Sequence, residues 1–176
     1  FLRNLSAGEI VAQFLLARQG ASPPLTHAVF MGMGEPLLNY DAVLKAIRLL
    51  NTECGVGARH MTLSTVGIVP GIRRLARENL QINLALSLHA ADDETRAQLM
   101  PAGRRYPLAD VLRAVRDYVI LTGRRVTLEY LLIEGVNDSE ETAEQLARLI
   151  RSDLRVPPRR RGCPPSCSWR SSPRRS

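Results

Sequence analysis

The sequence predicts an α/β fold of parallel strands, a partial (β/α) barrel that does not close. Three observations predict it. Short apolar runs alternate with amphipathic helical stretches in the order α-β-α-β-α-β-α-α-β-α. The runs are apolar nearly throughout, the pattern of strands buried in a parallel sheet with right-handed crossovers. Four strands are too few to close a barrel, so an open edge is expected on each side. The chain opens with a helix rather than a strand, and its last helix meets an arginine-rich tail instead of another strand. The simplest physical account is a fragment of a larger parallel barrel.

Each element has its own local signal. Ser6-Ala7-Gly8-Glu9 is a capping box, with Leu5 and Ile10 placed as a hydrophobic staple, and Ile10, Val11, Phe14 and Leu15 form the stripe of the first helix. His27–Met33 reads as the first strand, ending at Gly34. Asn39 caps a helix with Val43, Leu44, Ile47 and Leu50 on one side. Arg59–Thr65 reads as the second strand, and Pro70 opens a helix carrying Ile72, Leu75 and Ala76. Ile82–His89 is the third strand, followed by helices over Asp93–Leu99 and Leu108–Leu121, the latter stopped by Gly123. Val126–Ile133 is the fourth strand. Asp138-Ser139-Glu140-Glu141 caps a final helix with Leu146, Ala147 and Ile150 inside.

Charge divides the 176 residues into two parts. The net charge is +7, yet residues 155–176 hold seven arginines and no acid, and the rest balances at 17 basic and 17 acidic residues. The basicity therefore belongs to the tail and says nothing about the partner of the body, residues 1–154. The tail is rich in Arg, Pro and Ser and aperiodic, so it is expected to be disordered. A nucleic-acid-binding arm, a solvated tail and a frame-shifted translation of a GC-rich gene all fit that composition. We favour the frame shift. Of three cysteines only Cys54 lies in the body, which excludes a disulfide scaffold and suggests a reducing, cytoplasmic setting. No apolar run approaches the ~18 residues of a membrane span, and no signal peptide is visible. Phe1 stands where a start methionine is expected, which hints at a missing beginning.

In parallel α/β folds, ligands bind beyond the carboxyl ends of the strands. Those ends read Gly32-Met33-Gly34-Glu35-Pro36, Ser64-Thr65-Val66-Gly67, Ser87-Leu88-His89 and Glu134-Gly135-Val136-Asn137-Asp138. Gly32 and Gly34 let backbone approach a ligand closely, Glu35 can accept from an ammonium, and Ser64 and Ser87 can bond hydroxyls or carboxylates. Any one of these could be a satisfied loop group; four on one rim point to a binding crevice. Other chemistry is absent. The glycines miss the dinucleotide fingerprint because Leu37 stands at its last position, and neither a phosphate-loop lysine nor an HExxH motif occurs. Cys163-x-x-x-Cys167-x-x-Arg170 lacks the third thiol of a cluster motif.

The same residues carry a family likeness. Phe30-Met31-Gly32-Met33-Gly34-Glu35-Pro36-Leu37-Leu38-Asn39 resembles the signature of the radical S-adenosylmethionine rRNA adenine-C2 methyltransferases. Leu63-Ser64-Thr65-Val66-Gly67-Ile68-Val69-Pro70-Gly71-Ile72, Leu84-Ala85-Leu86-Ser87-Leu88-His89-Ala90, Leu99-Met100-Pro101, Arg105-Tyr106-Pro107-Leu108, the stretch Gly123–Tyr130 and Gly135-Val136-Asn137-Asp138-Ser139 agree in order, so the likeness covers about Leu2 to Leu154.

The resemblance implies a radical SAM partial barrel, S-adenosylmethionine and a 4Fe–4S cluster, with methylation of C2 of an adenine in 23S rRNA and in tRNA. It implies cofactor binding by Gly34, Glu35, Ser64, Ser87, Leu88 and His89, with Gly34 and Glu35 at the methionine end. It assigns no catalytic or metal-ligating residue to this chain. The family's cluster cysteines would precede Phe1, and its methyl-carrying cysteine would follow Leu154, so the chain alone is expected to be inactive, since neither the electron donor nor the covalent carrier has a site. A monomer with no membrane partner is expected. Two alternatives stay open: a related C8-methylating radical enzyme, and a non-catalytic RNA-binding protein using the arginine tail. Arg73, Arg74 and Arg77 and the pairs Arg104-Arg105 and Arg124-Arg125 suit phosphate contact, or are a solvated face balanced by acids.

Overall fold

The computed structural model describes residues 1–153. The tail reading, with Cys163, Cys167 and the arginine arm, lies outside the described residues. The elements are α1 (Ala7–Gln19), β1 (Ala28–Phe30), α2 (Tyr40–Thr52), β2 (Met61–Thr65), α3 (Val69–Leu75), β3 (Asn83–Ser87), α4 (Asp93–Leu99), α5 (Leu108–Thr122), β4 (Val126–Glu129) and α6 (Glu140–Asp153), with single 3-10 turns at Pro36–Leu38, Ala58–His60 and Pro101–Arg104. Every helix and strand expected from the sequence forms, in the expected order.

The strands lie in the order β1-β2-β3-β4, all parallel. Sequential order with right-handed crossovers sends every connecting helix to one face, the winding of a barrel wall. The side chains agree. One buried cluster takes residues from α2, α3 and α5, with α1 and α6 packed against it, and its fully buried strand residues Met61, Leu63, Leu84 and Leu86 all point to that side. The register puts Thr62 beside Asn83, Ser64 beside Ala85 and Thr127, and Ser87 beside Glu129 on the other side, none of them in the cluster. The strands therefore alternate, as in Met61-Thr62-Leu63-Ser64. The near-continuous apolar strands read from the sequence are corrected: apolar residues fill one face, and small polar ones line the other.

Three strands are shorter at their ends than the sequence suggested. β1 stops at Phe30, β3 at Ser87 and β4 at Glu129, because the residues beyond bend into loops held by side chains. Arg59 and His60 lie in a 3-10 turn before β2.

The caps follow their signals, with local corrections. Ser6 and Glu9 form the reciprocal capping box; the Glu9 carboxylate accepts from the Arg3 guanidinium and from Ser6 N and Oγ, which hold its pKa down at about 2. Asn39 sits at the N-cap of α2, but its side chain bonds the Leu5 carbonyl at 2.8 Å instead of capping, tying α1's entry to α2. Ser139 caps α6 through the Thr142 amide at 3.2 Å. Leu15 and Ile150 face solvent, 42% and 38% exposed, and Ala147 is exposed; Leu149 takes the inward place beside Leu146. No helix among the described residues is long and apolar enough to cross a membrane.

Candidate functional site

Parallel register brings all four carboxyl ends to one edge of the sheet, and the loops there form the candidate site. β1 leads into an exposed turn, Met31–Gly34. Gly34 has φ +97°, a conformation costly for any residue with a Cβ, and nothing lies within 4 Å of where that Cβ would stand. Its backbone is thus open to a ligand.

Glu35 is already engaged. Its Oε1 accepts from Leu37 N at 2.9 Å, capping the 3-10 turn, and its Oε2 accepts from Val66 N at 2.8 Å, beyond the end of β2. The carboxylate clamps two rim loops together, and only its second lone pairs remain for a ligand. Val66 is also held through the next peptide, where its carbonyl accepts from the Arg96 guanidinium. Arg96 is fully buried in α4 and also donates to the Tyr106 carbonyl at 3.1 Å; burial lowers its pKa, and Asp93 partly opposes that. Gly67, at φ +99°, makes room: a Cβ there would stand 2.8 Å from Val111 and 3.0 Å from the Arg96 guanidinium. Thr65 shapes this turn by accepting from Gly67 N at 3.1 Å.

On the open face, three neighbouring strands present a row of polar groups. Ser64 Oγ lies 3.3 Å from Ser87 Oγ, and Ser87 Oγ donates to Glu129 Oε2 at 3.5 Å. Past Ser87, Leu88 is fully buried, so its side chain belongs to the core and only its backbone reaches the rim. Its N–H donates to the Glu129 carbonyl at 2.9 Å.

His89 adopts a left-handed conformation, φ 56°, fixed from two sides. Its Nδ1 accepts from Leu131 N at 3.0 Å, and its carbonyl accepts from Asn137 Nδ2 at 2.7 Å. The Leu131 N–H on Nδ1 selects the neutral tautomer with the proton on Nε2. Desolvation lowers the His89 pKa; the Glu129 charge opposes this and Arg96 reinforces it. Asn137, 2% exposed, also bonds Leu131 O at 2.8 Å and Ile133 N at 2.7 Å, so one amide holds the whole β4–α6 loop against His89.

The structure therefore gathers Gly34, Glu35, Ser64, Ser87 and His89 on one rim, with Leu88 behind it. Sequence reasoning did not single out Glu129 or Arg96, and it placed Asn137 on the rim without a role. Extending β4 to Ile133 hid Glu129, which the alternation Val126-Thr127-Leu128-Glu129 places on the polar face. Arg96, within Asp-Glu-Thr-Arg, reads as a solvated helix residue, and nothing local signals its burial.

A metal centre has no basis among the described residues. No group of three His, Cys, Asp or Glu side chains gathers there, and Cys54 lies on the connection into β2, at the edge opposite the rim. These residues do not fit an iron–sulfur cluster. They do offer hydrogen-bonding groups to a polar ligand: an open glycine backbone, two serine hydroxyls, a histidine N–H and a carboxylate with unused acceptor capacity.

The chain is similar to known proteins. Residues 2–147 match the Radical SAM superfamily. A protein of Symbiobacterium thermophilum named "Probable dual-specificity RNA methyltransferase RlmN" is 57% identical over 157 residues, covering 87% of this chain and 42% of that protein. One of the same name from Chloroflexus aurantiacus is 52% identical over 160 residues, covering 85% and 43%. The crystal structure of a radical SAM methyltransferase from Sphaerobacter thermophilus superposes with a TM-score of 0.84 at 52% identity, covering 88% of this chain and 47% of that one. The chain thus spans less than half the length of these relatives.

Proposed function

Because this chain belongs to the radical SAM superfamily, we propose that its sheet rim is the S-adenosylmethionine site of an RNA methyltransferase acting on C2 of an adenine, in 23S rRNA and in tRNA. The observation that carries the cofactor part is the convergence of Gly34, Ser64, Ser87 and His89 at the carboxyl ends of adjacent parallel strands. The RNA part is supported by the names of the relatives.

In this reading, Gly34 and Glu35 receive the methionine end through open backbone and the remaining carboxylate lone pairs. Ser64 and Ser87 bond polar groups of the nucleoside end, Leu88 fixes the backbone between Ser87 and the core, and His89 donates from Nε2. When bound, S-adenosylmethionine supplies the methyl group and a sulfonium poised for reductive cleavage. Radical SAM chemistry generally also uses an iron–sulfur cluster. The described residues contribute one cysteine, on the wrong edge, so they bind the methyl donor and do not turn over by themselves.

Equilibrium dialysis of the 176-residue chain against S-adenosylmethionine tests the site. Saturable binding that falls about tenfold or more in the Ser64→Ala, Ser87→Ala double variant is expected, from two lost hydrogen bonds of ~1 kcal/mol each. Absence of binding overturns the proposal. Incubation with reductant and rRNA should give no methyl transfer by this chain alone; any turnover contradicts that division of labour. In an enzyme carrying this rim the product is 2-methyladenosine, and 8-methyladenosine would move it to the related C8 class.

A further inference from the structure

We infer that Glu129, at the end of β4, is a further binding carboxylate of the rim that holds the vicinal hydroxyls of the nucleoside's sugar. The inference rests on the S-adenosylmethionine reading above and adds to it a residue and a ligand group.

The two rim carboxylates differ in what already holds them. Both oxygens of Glu35 accept backbone N–H groups at 2.8–2.9 Å. Glu129 is half-buried on the polar face and its side chain meets one hydroxyl, Ser87 Oγ, at the long distance of 3.5 Å. It takes part in none of the ion pairs among the described residues. Its backbone, in contrast, is fixed, because its carbonyl accepts from Leu88 N at 2.9 Å and its Cα is in register with Ser87. A carboxylate on a rigid stem with spare lone pairs is suited to accept from a ligand.

The surroundings select hydroxyl donors. A carboxylate with a serine hydroxyl 3.5 Å away presents acceptors and one reversible donor side by side, the way acidic side chains hold ribose in nucleotide sites. Position agrees. Three strand spacings of ~4.8 Å separate β1 from β4, roughly 14 Å in all, the span of an extended amino-acid nucleoside. With the methionine end at Gly34 and Glu35, the sugar falls toward β3 and β4. The ammonium is then out of reach of Glu129.

The test is binding of three ligands to the full 176-residue chain and its Glu129→Gln variant: S-adenosylmethionine, 5′-methylthioadenosine, which has the sugar and base without the amino acid, and its 2′-deoxy analogue. Glu129→Gln should weaken the first two by about tenfold each, the difference between a charged and a neutral acceptor. The 2′-deoxy analogue should bind the unmodified chain about tenfold less well than its parent, and show no further loss in the variant. The deoxy comparison on the unmodified chain needs no substitution: equal binding of the 2′-deoxy analogue and its parent overturns the inference even if the variant misfolds. Unchanged affinity in Glu129→Gln overturns the inference alone, as does a loss confined to S-adenosylmethionine, which would put the carboxylate at the amino-acid end. Failure of the unmodified chain to bind any of the three overturns the inference together with the reading beneath it.

Discussion

The two faces of this sheet are built from the same strands and do opposite work. Toward the helices, Met61, Leu63, Leu84 and Leu86 are at most 2% exposed and carry no hydrogen-bonding side chain. Toward the other side, Thr62, Ser64, Asn83, Ser87, Thr127 and Glu129 keep polar groups, and Thr127 is exposed. The period of two lets each strand serve stability with every second residue and leave the others for chemistry. The difference teaches that substitutions one residue apart should have effects of different size and kind.

The sharpest way to break this contrast is in the helix-covered face. Leu84→Ala removes a side chain that is 1% exposed from the centre of the sheet and should cost about 2–5 kcal/mol in denaturant unfolding. A cost near that of a surface change would mean the two faces are not distinct.

Next is the loop that shapes the rim. Asn137→Ala deletes an amide that bonds His89 O, Leu131 O and Ile133 N. It should cost about 2–3 kcal/mol, because three backbone groups lose their partner at a site 2% exposed. S-adenosylmethionine affinity should fall with it, since His89 loses its anchor.

A smaller effect is expected from pH. The folded state lowers the His89 pKa below its ordinary 6.5, mainly by burial, so the neutral form is favoured in the fold. Its contribution to stability is fully present above pH 6.5 and is lost as pH falls through the lowered folded value. Protonation would also place a hydrogen on Nδ1, against the Leu131 amide. Melting temperature against pH should show this decline, and His89→Asn, which tolerates a positive φ, should flatten it. An unchanged slope in that variant would sink the assignment.

The smallest expected effect is Thr127→Val, on the exposed side of β4. It should shift stability by less than ~0.5 kcal/mol, and a large loss would reveal that this face is packed rather than open.

How much was legible in the sequence varies with the range of the forces involved. The α1 capping box, the Pro70 helix start and the Ser139 cap of α6 are contacts between near neighbours, and local pattern reports them. The glycine, serine and histidine strand ends were also visible, because parallel topology sends all such ends to one edge. Which side chains would be used up within the protein was not visible. Glu35 is bound by an amide 31 residues away, and His89 by an asparagine 48 residues away.

By itself, the sequence determined the order of helices and strands, the parallel sheet and the edge on which the glycine, serine and histidine strand ends gather, since periodicity and capping act over a few residues. Only the tertiary structure decided that the strands stop at Phe30, Ser87 and Glu129, that Arg96 is buried behind the rim, and that Glu129 has more acceptor capacity to spare than Glu35. Those outcomes depend on partners distant in the chain, and a hydrogen bond across tens of residues leaves no periodic trace for a sequence to show.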